Sequence, residues 1–375
     1  MTNTSHMFTE ADRKFMARAL ELAERGLYTT TPNPRVGCVI VRDGEIVGEG
    51  WHERAGEAHA EVVALAQAGA SAAGAAAYVT LEPCSHVGRT PPCAPALLEA
   101  KVARVVAAMR DPNPLVAGRG VEQLRAAGVS VDHGLMEEEA RELNIGFVAR
   151  MTRGRPWVRM KVAASLDGKT ALMNGRSQWI TGPEARRDGH AWRARACAVL
   201  TGIGTVKDDD PQLTVREVET TRQPVRVIVD SGLETPPSAR VLGAGTMIAA
   251  AKEDADRSAV LRARGAEVIV LPNAAGKVDL AALMDELGRR QMNEIHVEAG
   301  FKLNGSLLRE NLVDELIVYL APHVIGDAAR SMFDLPELQD LSARRELDVR
   351  EVRSVGSDIR IIARVPGTLP PEGRT

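Results

Sequence analysis

His59-Ala60-Glu61 opens an alanine-rich run to about Ala68, and the strand-like Ala76 to Leu81 leads into Glu82-Pro83-Cys84-Ser85-His86-Val87-Gly88-Arg89-Thr90-Pro91-Pro92-Cys93. The first segment reads as a helix start; the second reads as a strand, a loop dense in Pro, Gly and Cys, and then a helix over Ala96 to Ala100. His59 and Glu61 stand two positions apart at that helix start, a short offset that lets both reach one small volume beside the loop carrying Cys84 and Cys93. Helix, strand and helix bringing one imidazole, one carboxylate and two thiols together describe a layered α/β unit built around a metal centre.

Thr9 to Arg25 spaces Phe15, Met16, Ala19, Leu20 and Leu22 as a helix stopped by Gly26, and Asp43-Gly44 joins apolar Val36 to Val41 to Glu45 through Gly50 as a hairpin. Val102 to Ala108 and Val129 to Val131 read as strands around a helix from Gly120 to Ala127, so a sheet covered by helices closes the first domain, residues 1–150. Pro156 to Ala163 starts a second α/β domain, residues 151–368, with strands at Ala198 to Gly202, Val225 to Asp230, Met247 to Ala251, Glu267 to Leu271, Glu294 to Glu298 and Glu315 to Leu320. Residues 369–375 read as a flexible tail. The division fits the length, because a single core stops growing at about 250–300 residues.

Apolar residues make up 45% of the 375 and charged residues 26%, a globular composition that excludes disorder and fibrous repeats. Net charge is -3, from 47 basic and 50 acidic side chains, so no strong field draws the chain to nucleic acid or anionic lipid, and a small-molecule partner fits better. No stretch approaches the roughly 20 apolar residues that span a bilayer, and Met1 to Arg13 is polar, which places the protein in the cytoplasm without a membrane partner. Four cysteines are too few for a disulfide scaffold. Cys38 and Cys197 sit inside apolar runs as small core residues, and His52 and His133 read as surface residues.

His59, Cys84 and Cys93 as three zinc ligands leave a fourth position open for water, whose pKa zinc lowers to about 7. Glu61 beside them can take and return the protons that hydrolysis of a ring amine requires. This His-x-Glu and Pro-Cys order is the signature of zinc nucleobase deaminases, in which the Glu is acid and base and not a ligand. That signature places two residues between the cysteines, whereas Ser85 to Pro92 intervene here and include His86. A closed structural site with His86 as fourth ligand is the alternative, and it leaves Glu61 idle. A zinc-dependent RNA adenosine deaminase with an accessory domain shares the motif, but it calls for a basic binding face that the balanced charge does not supply.

Thr31-Pro32-Asn33-Pro34 with Val36-Gly37, the His59 and Cys84 to Cys93 segments, and Asp111-Pro112-Asn113-Pro114 together resemble the bifunctional deaminase/reductase family of riboflavin biosynthesis, whose long cysteine spacing this chain shares. The resemblance runs through nearly the whole chain. It implies a cytidine deaminase-like α/β/α domain holding one zinc, followed by a dihydrofolate reductase-like α/β domain that uses NADPH. The implied substrate is a phosphorylated diaminopyrimidinone ribosylamine, deaminated first and then reduced from ribosyl to ribityl. A homodimer or larger homo-oligomer is the expected assembly.

In the second domain Glu298-Ala299-Gly300 ends a strand, and Gly300, Phe301, Lys302, Leu303, Asn304, Gly305 and Ser306 lead into a helix whose first amides suit a pyrophosphate. No Lys follows Gly305, so this is not a Walker loop. The resemblance adds Ala163, Trp179, Thr205, Asp209 and Ser231 as cofactor contacts, with Trp179 stacking beside the nicotinamide; without it, Trp179 reads as a core aromatic. It gives Ser177, Arg193, Leu213, Arg216 and Glu298 as substrate contacts, the two arginines as cationic forks for a phosphorylated ligand. Arg186 and Arg187 join that shell, and Lys161 on the entering strand could polarise the substrate. Asp208-Asp209-Asp210-Pro211 is read as a turn with one cofactor contact rather than a second metal site.

Overall fold

The computed structural model describes residues 8–85, 91–114 and 116–368, so the expected tail and the role of His86 lie outside the described residues. The chain divides into two compact units, Met1–Arg153 and Gly154–Thr375.

The first unit runs α1 (Glu10–Glu24), β1 (Gly37–Arg42), β2 (Glu45–Trp51), α2 (Ala60–Ala68), β3 (Ala76–Val79), α3 (Cys93–Glu99), β4 (Arg104–Ala107), α4 (Arg119–Ala126), β5 (Ser130–His133), α5 (Glu137–Leu143) and α6 (Ile145–Arg153). Thr9 begins α1 with a reciprocal capping box to Asp12. The sheet order is β2-β1-β3-β4-β5, antiparallel through β2, β1 and β3 and parallel from β3 to β5. Gly50 pairs with Cys38 while Gly37 pairs with Trp51, so the two glycines face opposite sides of the sheet. A Cβ on Gly37 would lie 1.9 Å from the Ala19 carbonyl of α1, and one on Gly50 would lie 2.4 Å from the Ala60 carbonyl of α2. Helices therefore cover both faces at backbone-to-backbone distance, and α2 is seated against β2 where His59 and Glu61 begin it.

Two features of this unit differ from the expectation. α3 starts at Cys93 rather than Ala96, because Pro95 falls in the first turn, where a missing N–H costs nothing. α5 and α6 follow β5, beyond the last element that the spacing predicts for this domain.

The second unit comprises β6 (Trp157–Ser165), β7 (Lys169–Ala171), α7 (Pro183–Arg195), β8 (Ala198–Gly202), α8 (Ile203–Asp209), β9 (Val225–Val229), β10 (Thr246–Ala250), α9 (Ala255–Ala263), β11 (Ala266–Val270), α10 (Leu280–Arg289), β12 (Glu294–Val297), α11 (Phe301–Arg309), β13 (Glu315–Ala321), β14 (Arg330–Ser331), β15 (Asp348–Val355) and β16 (Asp358–Arg364). Its nine-stranded sheet has the order β11-β10-β9-β8-β12-β6-β13-β16-β15. It is parallel from β11 to β13, and the last two pairings, β13 with β16 and β16 with β15, are antiparallel. Strands enclosed on both sides read as unbroken apolar runs, as in β8 and β10. Buried Arg159 on β6 bridges Glu294 on β12 and Glu315 on β13, tying the three central strands at their starts. Their far ends are left to carry a site, the usual position in an open parallel sheet.

Candidate active sites

His59 is the N-cap of α2, with extended backbone, and Glu61 follows in the first turn; Cys93 begins α3, and Cys84 lies on the segment after β3. His59 Nδ1 stands 3.5 Å from Cys84 Sγ and 3.2 Å from Cys93 Sγ, and the Cys93 amide donates to Cys84 Sγ at 3.3 Å. A tetrahedral zinc with bonds of about 2.0–2.3 Å separates neighbouring donors by about 3.5 Å, so the trio fits the ion by spacing as well as by donor chemistry. Among the described residues this is the one such group of His, Cys, Asp or Glu. Cys84 is pulled well down, first by its hydrogen bond from Cys93, whose own thiol is pushed up as the donor.

Glu61 is buried within this cluster and beside the Cys93 sulfur. Desolvation, and secondarily the Cys84 thiolate, push its carboxyl up to about 7. A divalent cation held by the same ligands would act against that push. A carboxyl set between these opposing influences is suited to exchange protons near neutrality.

Two supports were not read from the sequence. His52 is buried rather than on the surface: its Nδ1 is 3.0 Å from the Ala58 carbonyl and its Nε2 is 3.0 Å from Asn33 Nδ2, with the ring edge-on to His59. The carbonyl can only accept, so Nδ1 carries the proton and Nε2 accepts from Asn33, which fixes the Thr31-Pro32-Asn33-Pro34 segment next to the ligands. Glu82 is also buried, and its carboxylate accepts from the amides of Asp111 and Gly118 at 3.3 and 3.0 Å and of Gly120 and Val121 at 3.0 and 3.3 Å. A Cβ on Gly120 would lie 1.9 Å from the Pro83 carbonyl, so the segment entering α4 is pressed against the residue before Cys84. The Glu82-Pro83-Cys84 order was the available signal for this role.

In the second unit a cavity of about 1600 Å³ opens at the carboxyl ends of β6, β8 and β12. Single-ligand pockets are commonly about 300–1,000 Å³, so this volume suits two ligands held together. Ala163, Trp179, Thr205, Asp209, Ser231, Ser177, Arg193, Leu213, Arg216 and Glu298 all line it, as do Gly300, Phe301, Lys302 and Leu303. Asn304, Gly305 and Ser306 do not. Asn304 is buried and bonded to the Met332 carbonyl, Gly305 has no room for a Cβ 2.1 Å from the Asp334 carbonyl, and Ser306 bonds back to Lys302. The opening of α11 thus offers its first turn to the cavity and its second to the protein. That first turn, with an uncapped Gly300 at the N-cap, fits a dinucleotide pyrophosphate.

Trp179 is 70% exposed, with the Arg186 guanidinium 4.7 Å above its ring, so it is not a core aromatic. Ser177 donates to Asp209 at 2.9 Å. Arg193 is not a free fork: Nε and Nη2 both engage Glu298, and Nη1 donates to the Thr214 carbonyl at 3.1 Å. Arg216 is exposed, its guanidinium donating to Gln212 and Thr214 side chains, and its amide donates to His190 Nδ1 at 3.2 Å. Burial, then Arg193 and Arg216, push His190 down to about 4, so it is neutral. Burial alone would raise the Glu298 carboxyl, but Arg193, His296 and Lys161 hold it well below the usual range. Lys161, 4.0 Å from Glu298, is itself lowered by burial.

Residues 9–109 match the cytidine and deoxycytidylate deaminase zinc-binding region, and residues 156–361 match the RibD C-terminal domain. The chain is 51% identical to the riboflavin biosynthesis protein RibD of Escherichia coli, over 93% of this chain and 98% of that one. It is 44% identical to the RibD of Aquifex aeolicus, over 95% and 99%. Among solved structures, Acinetobacter baumannii RibD superposes with a TM-score of 0.88 at 44% identity, covering 95% of this chain and 99% of that one. A Thermotoga maritima protein described as a diaminohydroxyphosphoribosylaminopyrimidine deaminase and 5-amino-6-(5-phosphoribosylamino)uracil reductase superposes with a TM-score of 0.84 at 34% identity, covering 95% and 99%.

Proposed function

The chain belongs to the RibD family of riboflavin biosynthesis proteins, and from that premise we propose how its two sites divide the work. It is a bifunctional enzyme: zinc-dependent hydrolytic deamination of a phosphorylated diaminopyrimidinone ribosylamine precedes NADPH-dependent reduction of the ribosyl group to ribityl. An RNA adenosine deaminase is not favoured, because residues 156–361 match a reductase-family domain instead of an RNA-binding one. The observation that carries the division is that a compact His-Cys-Cys group with Glu61 beside it and a cleft of about 1600 Å³ occur in separate units, each with its own core.

We assign deamination to the first unit. Bound by His59, Cys84 and Cys93, zinc supplies the Lewis acidity that makes hydroxide available at neutral pH. Glu61 takes a proton from the attacking water on a carboxyl oxygen and gives it to the ring nitrogen as the water oxygen bonds to the amine-bearing carbon; it then takes the remaining hydroxyl proton and passes it to the amine, so that the carbon–nitrogen bond breaks, ammonia leaves and a carbonyl remains. Burial around Glu61 keeps bulk water from competing for that proton.

Reduction falls to the second unit. NADPH, when bound, supplies a hydride for the first carbon of the ribosyl group. The first turn of α11, with Ala163, Trp179, Thr205, Asp209 and Ser231, forms the cofactor wall, and Ser177, Leu213, Arg216 and Glu298 form the substrate wall. Arg216 meets the phosphate, Arg193 fixes the Glu298 carboxylate for the sugar hydroxyls, and Lys161 sits where it can polarise the reacting end. The enzyme works in the cytoplasm as a homodimer or larger homo-oligomer. Incubation with the phosphorylated diaminopyrimidinone, with and without NADPH, tests the order of steps. Ammonia should appear without NADPH, and nicotinamide absorbance should fall only after ammonia is released; NADPH oxidation without ammonia would overturn the order.

A further inference from the structure

α7 turns one face toward the cleft of the second unit, and Arg186, Gly189, His190 and Arg193 share that face at helical spacing. Arg193 is engaged by Glu298 and the Thr214 carbonyl, and Arg186 lies over Trp179. His190 is 7% exposed, and its one hydrogen bond among the described residues comes from the Arg216 amide to Nδ1 at 3.2 Å.

That contact fixes the ring. A backbone amide only donates, so Nδ1 holds the lone pair and the proton of the neutral imidazole sits on Nε2. Burial and the neighbouring Arg193 and Arg216 guanidiniums keep the ring neutral. Nε2 lies at the cleft wall, accessible to solvent, and meets no hydrogen-bond partner among the described residues. It is a donor with a settled tautomer and nothing to donate to.

The surroundings call for an anion. Arg216 gives Nη1 to Gln212 and Thr214 at 3.3 and 3.1 Å, and its Nε and Nη2 have no partner among the described residues. The nearby carboxylates are taken, Glu298 by Arg193 and Glu217 by Arg187 at 3.8 Å. Gln223 clasps the loop that carries Arg216 on its own, accepting from the Val215 amide at 2.8 Å and donating to the Val215 carbonyl at 3.1 Å. Holding that loop therefore does not account for His190. A phosphate monoester presents three strong acceptor oxygens and takes donors from several sides. A third permanent cation would be repelled by Arg193 and Arg216 in the empty cleft, whereas a neutral imidazole adds a donor without that repulsion.

We propose that His190 donates from Nε2 to the phosphate of the reductase substrate beside Arg216, and so makes the cleft prefer the phosphorylated ligand over its dephosphorylated form. The inference rests on the reading of Arg216 as the phosphate contact and adds a second, uncharged donor that sets specificity.

Two variants separate the ring nitrogens, because an Asn oxygen can stand in for Nδ1 and a Gln nitrogen for Nε2. NADPH oxidation by the full chain should be followed on the deaminated intermediate with and without its phosphate. His190→Asn should raise the KM of the phosphorylated form about 10–100-fold, the worth of one hydrogen bond to a charged oxygen, with kcat, the NADPH KM and the KM of the dephosphorylated form little changed. His190→Gln should keep most of the wild-type preference. An Asn variant near wild type beside an impaired Gln variant would reduce His190 to seating Arg216, and an Asn variant that weakens both forms equally would make its part structural; either result overturns the proposal. Arg216→Ala marks the underlying reading. A wild type indifferent to the phosphate, or a preference that survives Arg216→Ala, sinks the phosphate assignment itself, whereas a preference lost in Arg216→Ala but intact in His190→Asn sinks the His190 donor alone.

Discussion

Glu82→Gln should uncouple the Cys84 ligand from the segment that enters α4 while leaving the shape of the site nearly intact. The carboxylate takes two bonds at 3.0 Å, from Gly118 and Gly120, and two longer ones at 3.3 Å, from Asp111 and Val121. An amide keeps one acceptor oxygen and turns an N–H2 group toward the other two donors, so two buried amides lose their partner. With hydrogen bonds to a charged group worth about 1.5–3 kcal/mol and the outer pair already long, the cost is about 2–4 kcal/mol. For a unit of this size that lowers the melting temperature by roughly 5–15 °C. Calorimetry of the full chain should show the shift in the first unit's transition, with loss of ammonia release on warming before NADPH oxidation is affected. A Glu82→Gln protein that melts with the wild type, or loses reductase first, refutes the reasoning.

Glu61→Gln should cut ammonia release by about 10²–10⁴-fold. It should retain about one zinc per chain and full NADPH oxidation on the deaminated intermediate, whereas Cys84→Ser with Cys93→Ser should lose the metal by elemental analysis. Zinc retained in the double variant would remove the proposed ligand set. Arg193→Ala should raise the substrate KM about 10–100-fold with the NADPH KM little changed, because it frees the Glu298 carboxylate on the substrate wall. Glu298, raised by burial but lowered overall by Arg193, lies well below its ordinary 4.5. A carboxyl lowered in this way adds stability above that value that is lost as pH falls through its lowered one. The melting gap between wild type and Arg193→Ala should therefore be widest above pH 4.5 and shrink on acidification, and a gap that grows instead contradicts the pairing.

Elements that announce themselves locally were legible in the sequence. Thr9 and the spacing of Phe15 and Ala19 marked α1, Asp43-Gly44 marked the β1–β2 hairpin, and the apolar runs of the parallel sheet marked its strands. β15 escaped because it carries no apolar run, only valines among Arg, Glu, Asp and Ser, and β16 because its apolar stretch is just Ile361-Ile362-Ala363 between arginines. Strand order was unreadable, since β12 lies between β8 and β6 by pairing across long stretches of chain. In the first site the metal cluster could be read from residue types alone, yet buried His52 could not: its partners, the Ala58 carbonyl and Asn33, are contributed by turns that no periodicity reveals. In the second, Arg193 read as a free cation because Glu298 sits far along the chain and meets it only across β12 and α7.

The hydrogen atoms that stand in for side chains at Gly48 and Gly50 also set where this enzyme can change. A Cβ at either would press into α2 at the Ala64 or Ala60 carbonyl, and α2 carries the imidazole and the proton carrier on its opening turn. Bulk added on that strand would act as a lever, lifting both groups away from the thiolates without touching them. The inner surface of β2 therefore has to stay bare for the imidazole and the proton carrier to keep their places.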